Sequence, residues 1–311
     1  MEPPGTGRGR GTDMTNDRFG APEDAEGTRA GVGIMFAVTF AFSVMDTLTK
    51  MAAQIYPAPQ ILWVRYMVFA SVTLAHGLHK RGRRVFTSRA PLLQLTRGFL
   101  LSGEILVFIV ALRHLPLADV QAIAAAGPLI TTALSVPFLR EQVGIRRWSA
   151  IGVGAVGVMI IIRPGFAAFD AMLLVPLFGI ALFALYQVLT RRAARHDEAS
   201  TTVLYTGITG LVSMTCVGPF FWVTPDWSGL ALMVGIGAIG LTGHGLLIKA
   251  LSLAPASVLQ PLNYLMLPWA VLWGYLIYDD LPDLATIIGA AIVVGSGIYT
   301  FHREQIVRRG G

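Results

Sequence analysis

The chain has 311 residues, of which 54% are hydrophobic and 14% are charged, whereas soluble domains carry about 25% charged residues. With a mean hydropathy of +0.63, this composition excludes an ordinary soluble domain and indicates a polytopic membrane protein. The net charge of +6 does not indicate nucleic-acid binding, because the excess Lys and Arg lie in short loops between apolar runs. The single cysteine, Cys216, excludes both a disulfide within the chain and a thiolate metal cluster.

The N-terminal residues 1–29 are predicted to form a disordered cytoplasmic tail, because they contain few large apolar residues and mix both signs of charge. The segment also lacks the apolar core and the small-residue cleavage site of a secretory signal. A second short cytoplasmic tail is predicted over 304–311. The connections between the apolar runs are too short to hold an extramembrane domain.

Ten apolar runs follow the N-terminal tail, and each is close to the roughly 20 residues that a helix needs to cross a bilayer. They cover residues 31–52, 59–78, 91–112, 117–138, 147–163, 170–190, 200–222, 229–250, 256–278 and 284–301. The predicted fold class is therefore an all-α polytopic membrane protein with ten transmembrane helices.

Basic residues are concentrated in every second connection. The loop "HKRGRRVFTSR" at 79–89 carries five Lys and Arg residues, whereas "DDLPD" at 279–283 is acidic. Short loops rich in Lys and Arg stay on the cytoplasmic side of a membrane. The pattern therefore predicts that both termini are cytoplasmic.

The sequence contains an internal repeat. "FSVMDTLTK" at 42–50 matches "FALYQVLTR" at 183–191, "ALRHLPLA" matches "ALSLAPAS", and Glu141 falls on Asp280. The offset indicates two five-helix halves, predicted over 30–164 and 165–303. Because five is an odd number, the second half must be inverted in the membrane. Inverted repeats are typical of secondary transporters, which expose one central site alternately to each side.

Three charged residues are predicted to lie inside the membrane at one depth. Asp46 on the first helix lies roughly 10 Å from the external end, at the rise of about 1.5 Å per residue. Arg65 on the second helix and Glu104 on the third lie at a similar depth. Buried charges are expensive in a bilayer and usually pair. We therefore expect a network with a net charge of −1, either as a substrate or coupling site or as a structural clasp between the three helices.

A second polar layer is predicted nearer the cytoplasm, from Gln187, His244 and Arg97. His244 is a candidate for proton exchange, with a satisfied core histidine as the alternative. Arg97 either joins this layer or extends to the cytoplasmic surface. Lys50 is interpreted as a residue at a helix end whose ammonium reaches water.

Prolines predict helix breaks beside a polar cavity, because a proline inside a span leaves backbone carbonyls unpaired. The expected breaks are at Pro128, Pro261 and Pro268. The ninth run opens with "SVLQPLNYLMLP" at 257–268, which places three polar side chains among these prolines. These side chains, Gln260, Asn263 and Tyr264, are further candidates for the cavity.

The chain resembles the EamA-type branch of the drug/metabolite transporter superfamily over residues 31–303. The resemblance rests on "AAQIYPAPQILWVRY", "ALRHLPLADVQAI", "LREQVGIRRWSAIGVGAVGVMIIIRPG", "LYQVLTRRAA" and "YDDLPDLATIIGAAIVVGSGIY". One departure is Asp280, where the family usually has Glu. The resemblance implies a carrier in the bacterial inner membrane for amino acids, nucleosides, S-adenosylmethionine-like compounds, other metabolites or drugs.

Three classes of function are open to this sequence. The first is a secondary carrier of a small polar metabolite, coupled to a proton or a counter-solute, as a monomer or a homodimer and without a cofactor or metal. The second is a multidrug exporter or a lipid-headgroup flippase on the same fold. The third is an intramembrane enzyme, which is disfavoured because the sequence lacks HExxH, GxSxG and an acidic metal pair.

Overall fold

The computed structural model describes residues 25–139, 143–164 and 170–309. Residues 1–24 of the predicted tail and the repeat residue Glu141 therefore lie outside the described residues. The α-helices run α1 Ala25–Ile55, α2 Ala58–Arg81, α3 Pro91–His114, α4 Leu117–Ala124, α5 Gly127–Leu139, α6 Ile145–Ile162, α7 Leu174–Ala193, α8 Ala199–Val217, α9 Trp227–Leu253, α10 Ala256–Leu259, α11 Met266–Tyr278 and α12 Leu284–Arg309. Short 3₁₀ segments cover Gly82–Phe86, Ala171–Leu173, Gly218–Phe221 and Gln260–Leu265.

The predicted all-α fold with ten crossings is confirmed. Nine segments in the described residues are long and apolar enough to cross a membrane, and α4 and α5 together form one of them. The tenth crossing is α10 and α11 with the 3₁₀ segment between them. Five crossings therefore precede residue 164 and five follow residue 170, so the second half is inverted.

The helices pack with the symmetry that an inverted repeat requires. Helix α1 of the first half packs along α9, the third helix of the second half. The equivalent pair, α7 and α3, packs in the same way. The second helices, α2 and α8, contact each other, as do the fifth helices, α6 and α12. The centre of the molecule is therefore built by both halves together.

The contact between α6 and α12 is a close backbone approach through glycine. A methyl group on Gly157 would lie 2.8 Å from the Gly289 carbonyl oxygen and 2.8 Å from a Val293 methyl. Small residues at helix interfaces in membranes allow this separation and the van der Waals contacts that it brings. The glycine-rich stretches "GVGAVG" and "GAAIVVGSG" are thus helical and contact each other, and they do not form a phosphate-binding loop.

The two ends of the bundle differ in charge. The basic end contains the loop at 82–90 and the segment 191–198 at the end of α7, and the acidic end contains the loops at 222–226 and 279–283. The alternation of loop charge that the sequence shows is therefore preserved as a difference between two faces of the folded protein.

Polar contacts hold the loops of the acidic end in place. Arg163 and Asp283 form an ion pair of 2.6 Å. Asp226 accepts hydrogen bonds from Ser228 and from the Gly229 N–H at the start of α9, and these bonds lower the pKa of its carboxyl. Both acidic loops are thus anchored to the ends of the helices beside them.

At the basic end, Asp197 joins the turn between α7 and α8 to the start of α3. Its carboxylate accepts hydrogen bonds from the Ser88 hydroxyl, the Arg89 backbone N–H at 2.7 Å and Gln94 Nε2 at 2.9 Å. Burial alone would raise the pKa of this carboxyl, but the three hydrogen bonds hold it below its usual value. The stability that these bonds provide is therefore present at neutral pH and is lost only when the pH falls through that lowered pKa.

We expect Gly157→Ala to lower the thermal midpoint of the purified protein in detergent. Its methyl group would overlap the α12 backbone, and overpacking costs about 1–3 kcal/mol. The matched control is Gly152→Ala on the same helix, because a methyl group there meets nothing within 4 Å. Equal midpoints for the two variants would contradict the close α6–α12 contact.

Candidate functional site

Asp46 lies beside a narrow cavity between α1, α4 and α11. The i, i+3, i+4 spacing of Ser43, Asp46 and Thr47 places them on one face of α1. The Asp46 side chain is 8% exposed, and one carboxylate oxygen accepts a hydrogen bond of 2.8 Å from Gln121 Nε2 on α4. The cavity is too narrow in this conformation to admit a water molecule, and it is lined by Ser43, Asp46, Thr47, Leu117, Gln121, Met266 and Ala270.

Arg65 on α2 is the centre of a charged cluster. Its guanidinium interacts electrostatically with the carboxyl groups of Asp46 on α1 and Glu104 on α3. It also approaches the backbone of α9, where a methyl group on Gly240 would lie 3.7 Å from an Arg65 nitrogen. The structure thus places the three charged residues from α1, α2 and α3 near one another. With both carboxyl groups ionised, the cluster of Asp46, Arg65 and Glu104 carries a net charge of −1.

The charged groups of this cluster lie near one another but form no direct ion pair. Among the described residues, no carboxylate oxygen of Asp46 or Glu104 lies within 4.0 Å of an Arg65 nitrogen. Glu104 is 9% exposed, and its carboxyl group has no hydrogen-bond partner in the described part of the chain. The Glu104 carboxyl group is therefore not committed to another side chain within the described residues.

Tyr66 and Ser102 form the wall of the cluster towards α8. Tyr66 follows Arg65 on α2, and Ser102 lies one half-turn before Glu104 on α3. Their hydroxyl groups are hydrogen-bonded at 3.1 Å, and both side chains are almost fully buried. The Tyr66 ring packs directly on Gly210 of α8, where a side chain would overlap it. This packing fixes α2 against α3 and so fixes the positions of the two charged residues.

His244 belongs to the Arg65 cluster rather than to a separate inner layer. Its Nδ1 lies 2.8 Å from the Gly240 carbonyl oxygen, and its ring packs edge-on against Phe42 at 5.1 Å between centroids. Since a carbonyl oxygen can only accept, this contact requires a proton on Nδ1. Arg65 interacts electrostatically with this imidazole. Among the described residues, His244 forms no hydrogen bond or ring contact with Gln187 or Arg97.

Arg97 forms a structural hub near the basic end of α3, and the expectation that it reaches the surface is wrong. Its side chain is 1% exposed. The guanidinium donates hydrogen bonds to Gln94 Oε1 at 3.1 Å, the Tyr186 hydroxyl at 3.1 Å, Thr190 Oγ1 at 3.3 Å, Thr206 Oγ1 at 2.6 Å and the Thr202 carbonyl oxygen. These acceptors on α3, α7 and α8 satisfy the donors of the guanidinium, so no donor is left to bind a solute.

Gln94 connects the Arg97 guanidinium to the Asp197 carboxylate through hydrogen bonds. Gln94 accepts from the guanidinium with Oε1 and donates from Nε2 to Asp197 at 2.9 Å. Gln94 is fully buried, so this chain of hydrogen bonds is shielded from water. It links the interior cation to the turn between α7 and α8 and makes the basic end of the bundle rigid.

The interpretation of Lys50 as a residue that reaches water is also wrong. Helix α1 continues for another five residues to Ile55, and the Lys50 side chain is 6% exposed. Its ammonium donates to the Leu115 carbonyl oxygen between α3 and α4 and lies 5.0 Å from the centre of the Tyr278 ring. The α3–α4 junction and α11 cover Lys50, which sequence spacing alone does not indicate.

The structure shows two of the three expected helix breaks. Two residues separate α4 from α5 directly before Pro128, and Pro261 lies in the 3₁₀ segment between α10 and α11. Pro268 marks no separate break, because it lies in the first turn of α11 directly after the 3₁₀ segment that contains Pro261.

The remaining candidates do not contact the charged cluster. Asn263 donates to Gln260 at 3.0 Å, and both side chains are exposed. The Tyr264 hydroxyl packs against Gly297 of α12. Gln187 is half-buried and forms no hydrogen bond within the described residues. The ninth crossing contributes apolar side chains of α11 to the cavity instead.

Gln121 is the polar residue that sequence reasoning missed. It is 8% exposed and holds Asp46 from α4. A polar residue inside an apolar run was available as a signal, but its partner lies 75 positions away in the chain. In the described residues, no group of three or more His, Cys, Asp or Glu side chains is arranged to hold a metal ion.

Comparisons with known proteins agree with this architecture. The family model for the EamA-like transporter family matches twice, over residues 29–163 and 171–301, which correspond to the two halves. One solved crystal structure, 20% identical, matches with a TM-score of 0.58 over 86% of this chain and 95% of that chain. At this identity the match concerns the fold alone.

Curated relatives are similar over most of their length. A protein of Rickettsia felis named as an S-adenosylmethionine uptake transporter is 24% identical over 88% of this chain and 93% of its own. A pseudopaline exporter of Pseudomonas aeruginosa is 27% identical over 86% and 94%. A riboflavin transporter of Vibrio cholerae is 28% identical over 84% and 89%.

We expect Arg97→Lys to destabilise the protein by at least about 2 kcal/mol, because one ammonium cannot replace the guanidinium bonds to three helices. Arg84→Lys, at an exposed position in the basic loop, is the matched control and should leave the thermal midpoint unchanged. A midpoint for Arg97→Lys that equals the control would show that the hub does not stabilise the basic end.

Proposed function

Since the chain belongs to the EamA-like transporter family, we propose that it is a secondary carrier that moves a small polar metabolite by alternating access. The two inverted five-helix halves support this proposal, because inverted repeats place a binding site at their interface near the middle of the membrane. The Arg65 cluster fits that position, since its residues come from α1, α2 and α3 and α9 of the second half packs against it.

The observation that carries the proposal is the unpartnered Glu104 carboxyl beside Arg65 and Asp46. Two carboxyl groups and one guanidinium offer a carboxylate partner to a cationic group and a guanidinium partner to an anionic group. This donor set fits a zwitterion, such as an amino acid or an S-adenosylmethionine-like compound. The excess negative charge also fits a proton as the coupling ion, with His244 as a further proton acceptor.

The orientation follows from the basic residues. The basic end should face the cytoplasm of a bacterial inner membrane, with both termini on that side. The Arg97 hub would then close the cytoplasmic end, and Lys50 with Tyr278 would lie near the external end.

A second function on the same fold is favoured by one observation. Phe36 and Phe40 on α1 are 49% and 41% exposed, and both pack edge-on against Trp269 of α11. An aromatic surface next to the cavity suits an apolar drug or a lipid with a polar headgroup. Catalysis is not part of the proposal, because the cluster contains no nucleophile with an adjacent base.

A thermal-shift screen of metabolites on the purified protein tests the substrate class. A ligand that binds the folded state alone raises the midpoint by mass action. We expect shifts from zwitterions that carry a cationic group and a carboxylate. Shifts confined to simple anions would contradict the assignment of the two carboxyl groups, and shifts confined to lipids or apolar drugs would support the second function.

Transport by the protein in liposomes tests the cluster directly. We expect Asp46→Asn and Glu104→Gln each to reduce uptake at least about tenfold, the effect of losing one charged interaction with the solute. The control Asp170→Asn removes a carboxylate at an exposed position before α7, and the Asn side chain can still accept the hydrogen bond from the Met172 N–H. Uptake that is the same in all three variants as in the unmodified chain would contradict the proposed site.

A further inference from the structure

Helix α11 is attached to α1 by a row of aromatic hydrogen-bond donors, here called the α1–α11 seam. The donors are spaced by about one turn on α11 and their acceptors by one turn on α1. The pairs are Trp269 Nε1 to Thr39 Oγ1 at 3.4 Å, Trp273 Nε1 to Ser43 Oγ at 3.0 Å and the Tyr278 hydroxyl to the Thr47 carbonyl oxygen at 3.1 Å. The seam runs along most of the length of α11.

The seam also walls the cavity beside Asp46. Ser43 and Thr47 belong both to the seam and to the cavity lining, and α11 adds Met266 and Ala270. Helices α1 and α11 thus supply five of the seven lining residues, and α4 supplies the others. Separation of α11 from α1 would therefore open the cavity, whereas the closed seam leaves it narrow.

Helix α11 has an irregular joint at each end. The 3₁₀ segment Gln260–Leu265 precedes it, and Asp279, with φ 55° and ψ 26°, ends it in the left-handed region. Short 3₁₀ stretches and residues at element ends are where hinges absorb changes in φ and ψ. The 13-residue helix can therefore move as a rigid piece between these joints.

At the acidic end of the seam, Lys50 contacts Tyr278 of α11, and this contact can be exchanged for others. Its ammonium is held by the Leu115 carbonyl oxygen and lies over the Tyr278 ring. Asp119 and Asp280 attract it electrostatically, but within the described residues neither forms a direct ion pair with it. If α11 moves, the ammonium can exchange its carbonyl and ring for these carboxylates without becoming an unpaired charge.

The other contacts that close the bundle are firmer. Arg97 at the basic end makes hydrogen bonds to α7 and α8 through a guanidinium that is fully buried. Helices α6 and α12 meet through the backbone at Gly157 and Gly289. The seam instead joins α1 and α11 through three separate hydrogen bonds, each of which contributes little on its own, and through ring contacts of Trp269 and Trp273 with Phe36 and Phe40.

We propose that α11 is the gate of the carrier at the acidic end. It turns on the 3₁₀ segment away from α1, breaks the three seam bonds and releases Lys50, which opens the path to Asp46. The role of this opening as a gate for a solute rests on the proposed transport function. The opening itself is a property of the protein without solute and can be measured separately.

A thiol introduced into the cavity reports on the gate. Ala270→Cys is combined with Cys216→Ala, which removes the native thiol, and the purified protein is treated with a charged thiol reagent. Ala270 is 4% exposed and lines the cavity, so this parent chain should react slowly. A second parent carries Ala184→Cys in place of Ala270→Cys. Ala184 is fully buried on α7, away from the cavity lining, so a thiol there reports general unfolding.

Three substitutions on α11 are then compared in each parent. Tyr278→Phe removes the hydrogen bond to Thr47 and keeps the ring beneath the Lys50 ammonium. Trp273→Phe removes the hydrogen bond to Ser43. Tyr275→Phe is the matched control, because Tyr275 is 53% exposed on the same helix and is not part of the seam.

We expect Tyr278→Phe and Trp273→Phe each to raise the labelling rate of the thiol at position 270 about two- to tenfold, the change in open population that loss of one hydrogen bond produces. The control should label at the parental rate. Unchanged rates in both seam variants, or an equal rise in the control, would overturn the proposal. An equal rise for the thiol at position 184 would also overturn it, because the seam variants would then have loosened the whole fold.

The labelling experiment separates this inference from the transport proposal. Faster labelling in the seam variants with no transport of any metabolite would support a moving α11 and contradict the carrier. Normal transport with labelling that never depends on the seam would support the carrier and place its gate elsewhere.

Discussion

The structure depends on the need to stabilise charges within an apolar medium. A bilayer offers no water to a buried carboxylate or guanidinium, so each charged side chain must find partners in other helices. Arg97 does so completely and becomes part of the scaffold. The Arg65 cluster does so only in part, because Asp46 has one amide donor and Glu104 has none among the described residues. The two sets of buried charges thus differ in how far neighbouring helices satisfy them, and the proposed solute site is the one that is satisfied only in part.

The crossings, the inversion and the proximity of the three charged residues could be predicted from the sequence, because run length, loop charge and position within a helix are local properties. The repeat between 42–50 and 183–191 was visible for the same reason. It also indicated that the two halves would not carry identical chemistry, since Asp46 is matched by the neutral Gln187. The structure agrees with this asymmetry, because Asp46 borders the cavity whereas Gln187 has no hydrogen bond within the described residues.

The surroundings of Lys50, Arg97 and His244 could not be predicted, because they depend on contacts between helices that are distant in the chain. The Tyr278 hydroxyl and its acceptor on Thr47 are 231 positions apart, and Arg97 and Thr206 are 109 apart. Depth along a helix does not specify which neighbour covers a side chain. The position of Lys50 in the sequence therefore does not reveal that neighbouring elements cover its ammonium.

The central claim is that the excess negative charge around Arg65 binds the positive group of the solute and exchanges it for a proton. The most direct measurement is the pH dependence of the dissociation constant of a zwitterion that raises the thermal midpoint. If a proton competes for the carboxyl groups, the dissociation constant should increase about tenfold for each unit by which the pH falls on the acidic side of the transition, and this dependence should disappear in Asp46→Asn/Glu104→Gln. A dissociation constant independent of pH in the unmodified protein, or a dependence retained in the double variant, would contradict the claim.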